Sequence, residues 1–92
     1  MTPEEHPLYV LAPKIILELK DNTWLTQSQD GSWRLWPEKP IYAALTYTRR
    51  DWVSTEKEIS VVAETDPVPM TAKEMIFDVN SLKEELRRRM SK

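Results

Sequence analysis

The sequence predicts an α+β domain, a small antiparallel sheet of three to five strands with one C-terminal helix packed on one face. Three observations predict it. The dipeptide Asp30-Gly31 separates two segments rich in Trp, Leu and Thr, further β-branched segments follow, and the C-terminal stretch changes to helical spacing. At 92 residues the chain is expected to form a single domain over residues 1–92. Hydrophobic residues at 40% and charged residues at 30% suit a folded chain and not a disordered one.

Thr2-Pro3-Glu4-Glu5 has the form of a helix start, cut short by Pro7. Leu8 to Leu11 reads as extended, ending at Pro13. In Lys14 to Lys20, Ile15, Leu17 and Leu19 alternate with Ile16, Glu18 and Lys20, which predicts a half-buried strand. Thr23–Ser28 and Ser32–Trp36 flank Asp30-Gly31, the signal of a two-residue type I′ hairpin. That turn sets Ser28 opposite Trp33 and Thr26 opposite Leu35. Trp24, Trp33 and Leu35 then share one face, and Leu25, Arg34 and Trp36 the other. A slip of one residue exchanges them.

Pro37 and Pro40 bound a loop before a predicted strand from Ile41 to Thr48, with Ile41, Ala43, Leu45 and Tyr47 facing one way. Trp52 and Val53 lead into a strand over Glu58–Glu64, where Ile59, Val61 and Ala63 alternate with Ser60, Val62 and Glu64. Pro67 and Pro69 close the sheet region. Thr71 and Glu74 match a capping box, and Met75, Val79, Leu82, Leu86 and Met90 recur at helical spacing. A helix is therefore expected from Thr71 to Met90, either in one piece or broken near Asn80, where Asn80-Ser81 offers a second cap.

Composition excludes several chemistries. The chain has no cysteine, one histidine and one glycine. Disulfide scaffolds, thiol nucleophiles and cysteine-based zinc sites are absent for want of ligands. Phosphate-binding and dinucleotide motifs need more than a single Gly31. His6, between Glu5 and Pro7, is expected to be exposed or capping and not a general base. The carboxylates Glu56, Glu58, Glu84 and Glu85 read as solvated charge. No catalytic residue, cofactor or metal is expected, and the chain is read as a non-enzyme. Met1 reads as a native start with no signal peptide or membrane span, since Glu4 and Glu5 replace a basic leader and no apolar run nears about 18 residues. The missing cysteines favour a cytoplasmic setting.

Thirteen Lys and Arg against fifteen Asp and Glu give a net charge of -2, so no global field draws the chain onto a polyanion. Charge is nevertheless segregated. Residues Asp51 to Asp66 carry five acids and one lysine, whereas Arg87-Arg88-Arg89 makes the final helical turn basic. That run complements the helix dipole, and Glu84–Arg88 and Glu85–Arg89 can pair at i,i+4. Tyr47, Arg49, Arg50 and Trp52 interleave aromatic and basic groups, which suits a protein hot spot or base stacking.

Four tryptophans are many for this length, and the hairpin places them on both sheet faces while the helix covers one. Trp36, with Arg34 beside it, is the hairpin tryptophan expected on an exposed face; the alternative is that all four are core. The expected function is a non-catalytic protein-binding module, a small regulator or inhibitor of the phage or mobile-element type that occludes a surface on a larger, nucleic-acid-handling complex. Arg34, Trp36, Arg49, Arg50 and Trp52 are its expected contact residues. Direct nucleic-acid binding through Arg49, Arg50, Trp52 and Arg87, Arg88, Arg89 is the second expectation. A monomer is favoured over a homodimer, and no membrane partner is expected.

Overall fold

A computed structural model describes residues 6–66 and 74–91. At its centre β1 (Trp24–Gln27) and β2 (Ser32–Trp36) form the expected hairpin, but around a different turn. The Ser28 N–H donates to the Ser32 carbonyl at 2.9 Å, and the Gly31 N–H to the Ser28 carbonyl at 2.9 Å. Three residues, Gln29, Asp30 and Gly31, therefore form the loop. Gly31 takes a φ of 91°, which the lack of a Cβ permits. The Asp30 carboxylate accepts from the Ser32 N–H at 3.0 Å and from its hydroxyl at 2.7 Å, closing the turn from the other side.

One extra loop residue shifts the register by one. The pairs are Trp24↔Trp36, Leu25↔Leu35, Thr26↔Arg34 and Gln27↔Trp33. Leu25, Trp33 and Leu35 thus share one face, while Trp24, Arg34 and Trp36 share the other. The expected partners of Trp24 and Leu25 are exchanged.

The sheet grows from this hairpin on both sides, all antiparallel. β5 (Ser60–Glu64) pairs with β2, and β6 (Ile76–Asp78) with β1, giving the order β5-β2-β1-β6. Opposite Trp33 and Arg34 the ladder steps from Ala63 to Val61, leaving Val62 as an extra residue. This bulge lets Val62 and Ala63 both pack against the core, while Ile59 and Val61 are 44% and 51% exposed. The strict alternation expected over 58–64 fails for that reason.

Three helices cover the Leu25/Trp33/Leu35 face. The first two replace the extended segment and the strand expected before residue 20. In α1 (His6–Val10) Pro7 sits in the first turn, where its missing N–H costs nothing, and its carbonyl accepts from the Leu11 N–H at 3.0 Å. In α2 (Pro13–Glu18) Pro13 holds the first helical position, and the Ile15 N–H donates to the Ala12 carbonyl at 3.0 Å. A run of alternating Ile and Leu also satisfies i,i+3 spacing, and here Ile16 and Leu19 are the buried pair. The proposed helix start at Thr2–Glu5 lies outside the described residues.

The last helix, α3 (Val79–Met90), begins later than expected. Ile76, Phe77 and Asp78 pair with Thr26, Leu25 and Trp24 instead, because the free edge of β1 accepts a β-branched and aromatic segment. The Asp78 carboxylate then caps α3 by accepting from the Asn80 N–H at 3.0 Å. Thr71 of the expected capping box lies outside the described residues. Val79, Leu82 and Leu86 fill the core, Met75 is buried ahead of β6, and Met90 is 61% exposed beyond it. Leu11, Ile16, Leu19, Leu25, Trp33, Leu35 and Phe77 complete the cluster, with the Trp33 and Phe77 rings 6.0 Å apart.

A latch fixes the start of α3 to the α2–β1 turn. Asn22, at φ 61°, and Asn80 exchange two hydrogen bonds of 2.8 Å, one from the Asn22 backbone and one from the Asn80 amide. The buried Lys83 ammonium reaches the exposed Asp21 carboxylate at 2.7 Å.

Two further strands, β3 (Ile41–Ala44) and β4 (Arg50–Val53), form a separate antiparallel hairpin. β3 is shorter than the expected 41–48, since residues 45–48 are its loop. The architecture is α+β: a four-stranded antiparallel sheet, helices on one face, and a two-stranded hairpin.

Gly31→Ala should destabilise the domain by about 1–2 kcal/mol, read as a lower urea midpoint at unchanged slope, because alanine resists this φ. A second expectation concerns acid. The Lys83 hydrogen bond and charge hold Asp21 below the usual carboxylate range, the Ser32 N–H and hydroxyl do so for Asp30, and Arg88 and Arg89 for Glu85. Groups depressed in the folded state stabilise above their unfolded pKa and lose that contribution as pH falls through the folded value. Stability should therefore decline below about pH 4, and Asp21→Asn should flatten that decline in urea titrations.

Candidate interaction surface

The face of the sheet opposite the helices carries Trp24, Thr26, Arg34 and Trp36, and the β3–β4 hairpin is attached there. Trp36 is only 5% exposed, and its indole N–H donates to the Thr26 hydroxyl at 2.9 Å. The expected exposed Trp36 platform is thus a buried contact, because the hairpin supplies the cover that the helices cannot. Trp52 of β4 is also 5% exposed. Its ring lies 5.3 Å from Tyr42, its cross-strand neighbour, and its N–H donates to the Gln27 carbonyl at 3.2 Å. Gln27 is the last residue of β1, just past the three residues of β6, and its own N–H donates to the Met75 carbonyl at 3.1 Å, so Trp52 supplies a donor to the carbonyl of that residue.

Asp51 completes the anchorage. Its carboxylate accepts from the Ser28 hydroxyl at 2.8 Å and from the Trp52 N–H at 2.8 Å, and it is 6% exposed. Sequence reasoning passed over Asp51; its place between Arg50 and Trp52, beside an anchoring aromatic, was the available signal. Trp36 and Trp52 line a shallow open depression of roughly 440 Å³ with Val53, Ser54, Glu56, Lys57 and Glu58. Arg34 sits half-buried nearby, its Nε 3.3 Å from Glu58. These groups hold the hairpin in place.

The tip is different. Leu45, Thr46, Tyr47, Thr48, Arg49 and Arg50 are all exposed, with Tyr47 fully so and Leu45 at 48%. The loop is ordered by its own bonds: the Leu45 N–H donates to the Arg49 carbonyl at 2.9 Å, and the Arg49 N–H to the Thr46 hydroxyl at 3.1 Å. Arg49 approaches Asp51 only at 3.9 Å, and Arg50 makes no ion pair among the described residues.

At the basic end of α3, Arg88 and Arg89 are paired within the helix, although the Arg88 side chain is as exposed as that of Arg49, at 66% against 65%. Glu85 accepts from Arg88 at 2.6 Å and from Arg89 at 3.1 Å, and the Arg89 guanidinium also lies 5.5 Å from the Tyr9 ring centre. Arg88 pairs at i,i+3 and not with Glu84. Arg87 is exposed. Of the expected contact residues, the structure brings Arg49 and Arg50 together with Tyr47 at one tip, and turns Trp36 and Trp52 inward. No helix among the described residues is long and apolar enough to cross a membrane. Nor do the described residues include a group of three or more His, Asp or Glu able to hold a metal ion.

Fold and surface together define an α+β domain that presents a basic, aromatic hairpin tip. No protein-family model matches the chain, and no curated protein or solved structure shows significant similarity to it.

Burial separates the tryptophans, with Trp33, Trp36 and Trp52 at 5% exposure or less and Trp24 half-buried under the Lys39 ammonium. Acrylamide should therefore quench one accessible component, and Trp24→Phe should remove it. A large quenchable fraction surviving in that variant would contradict the burial of Trp36 and Trp52.

Proposed function

We propose that this chain is a non-catalytic protein-binding module, and that the β3–β4 tip is its contact surface. The observation that carries this reading is the full exposure of Tyr47 beside Leu45, Arg49 and Arg50, on a hairpin whose base is anchored by Trp52 and Asp51. Tyr and Arg are the side chains that most often dominate protein interfaces. Tyrosine brings large area at a low cost in rotamer entropy, and an anchored loop has already met part of the ordering cost of binding. A partner that complements the tip offers an apolar pocket for Tyr47 rimmed by carboxylates. The module then acts by covering that surface, as a small regulator or inhibitor does.

The aromatic and basic composition of the tip also suits single-stranded nucleic acid, which is the second reading. Magnitude favours protein. Two arginines neutralise about two phosphates, which on a single strand gives a salt slope of about −1.4, whereas strong binders commonly engage about six to ten. The net charge of -2 works against the rest.

Tyr47→Ala and Arg50→Ala should each weaken capture of the partner by about tenfold or more, roughly 1.4 kcal/mol, while leaving the urea midpoint unchanged. Capture assays with the folded variants measure this; undiminished affinity in both variants removes the tip from the interface. A gel shift at low ionic strength that depends on Tyr47 would favour nucleic acid instead.

A further inference from the structure

We propose that the tip docks on a second copy of this chain, each tip lying against the acidic end of β5 in the other protomer to form a two-fold dimer. This inference rests on the tip being a contact surface, and it names the partner. β5 is an edge strand of the described sheet, so one side of its backbone has no strand partner. Beside that edge lie the exposed side chains of Ile59 and Val61, and at its end the exposed carboxylates of Glu64 and Asp66. Apolar area bordered by acid complements Leu45 and Tyr47 bordered by Arg49 and Arg50. Charge complementarity selects the occupant.

The same charges argue against the simpler pairing of β5 with its own copy. Antiparallel β5–β5′ contact brings Glu58, Glu64 and Asp66 of two chains together, and like charges across a ladder are destabilising. An edge bordered in this way admits a basic segment and repels itself.

Topology places both halves of the contact at one end of the molecule. β4 is tied beside the β1–β2 turn by the Ser28–Asp51 and Gln27–Trp52 bonds. The acidic end of β5 reaches the same turn, since Glu64 lies opposite Ser32 and the Thr65 N–H donates to the Gly31 carbonyl at 3.0 Å. Two molecules meeting end to end therefore bring each tip to the other's edge under one axis. A single contact of this kind spans only a few residues, well short of the roughly 20–30 per side of a standard interface. Two-fold symmetry doubles it, which makes the dimer weak, concentration-dependent and salt-sensitive.

Sedimentation velocity over a concentration series, at low and high salt, tests this with wild type, Arg50→Glu and Glu64→Arg. Both substitutions are at exposed positions, and circular dichroism checks that each variant folds. Wild type should dimerise with rising concentration, more weakly in high salt, and each charge reversal should weaken association at least tenfold. An equimolar mixture of the two variants should recover dimer. In it the acidic tip meets the basic edge at one contact, and the natural pair is retained at the other. Wild type that stays monomeric at every concentration overturns the proposal, as does a mixture that fails to recover. Stronger association of Glu64→Arg with no effect of Arg50→Glu points to β5–β5′ pairing and also overturns it. A monomer whose heterologous partner is still lost on Tyr47→Ala overturns the dimer alone and leaves the binding reading intact.

Discussion

The register of one hairpin decides what every other element must cover. Gly31 at positive φ and the Asp30 carboxylate closing on Ser32 make a three-residue loop, and that loop pairs Leu25 with Leu35. A two-residue loop would have turned Leu25 away from Leu35 and Trp33. With the observed register, Leu25, Trp33 and Leu35 form one apolar face for three helices to bury. Trp36 and Thr26 are left on the other, out of reach of those helices.

The second face explains why the chain has a second hairpin. A buried indole needs both apolar cover and an acceptor for its N–H. Trp36 finds the Thr26 hydroxyl, Trp33 the Thr65 hydroxyl at 2.8 Å, and Trp52 the Gln27 carbonyl. Trp36 is thereby matched to a partner within its own hairpin, and Trp52 lies beside it, lining the same depression. The bonds that fix the arm are gathered at Asp51 and Trp52, with the Tyr42 ring tilted against Trp52 at 60°. Beyond Ala44 and Arg50 the loop residues are exposed. Anchorage at the base is what leaves the tip free.

Much of this was legible in the chain, and the rest failed for identifiable physical reasons. The β1–β2 hairpin, the β5 segment, the α+β class and the Val79–Leu82–Leu86 stripe follow from local chemistry. The segment 14–20 did not, because Ile15 to Leu19 satisfies a period of two and a helical spacing alike, and Pro13 at the first helical position settles the matter. Residues 76–78 carry helical spacing into a strand, since the open edge of β1 outweighs their propensity. Over 59–63 a single bulged residue at Val62 reverses the alternation. At the site, the composition of residues 47–52 marked the right segment but could not separate the anchor from the tip. Trp52 and Trp36 depend on a bond to the Gln27 carbonyl, distant in sequence, and on the turn register, neither of which is visible in a local pattern.

The arrangement divides the molecule into parts of unequal stability. The body is closed by the main core and by the latch of Asn22 with Asn80 and Asp21 with Lys83, whereas the arm is held by a few polar bonds and one indole. Local opening should therefore be easiest in the arm. Yet its tip is internally bonded through Thr46 and Arg49, so it keeps its shape while remaining weakly bound to the body. A surface of that kind binds with little reorganisation, and its affinity is governed by how well a partner fills the space around Tyr47 and neutralises Arg50. The same exposed pair is a hazard unless something complements it. In the proposed dimer the acid at the end of β5 does so, which ties the charge pattern of the sequence to the hairpin register that positions both ends.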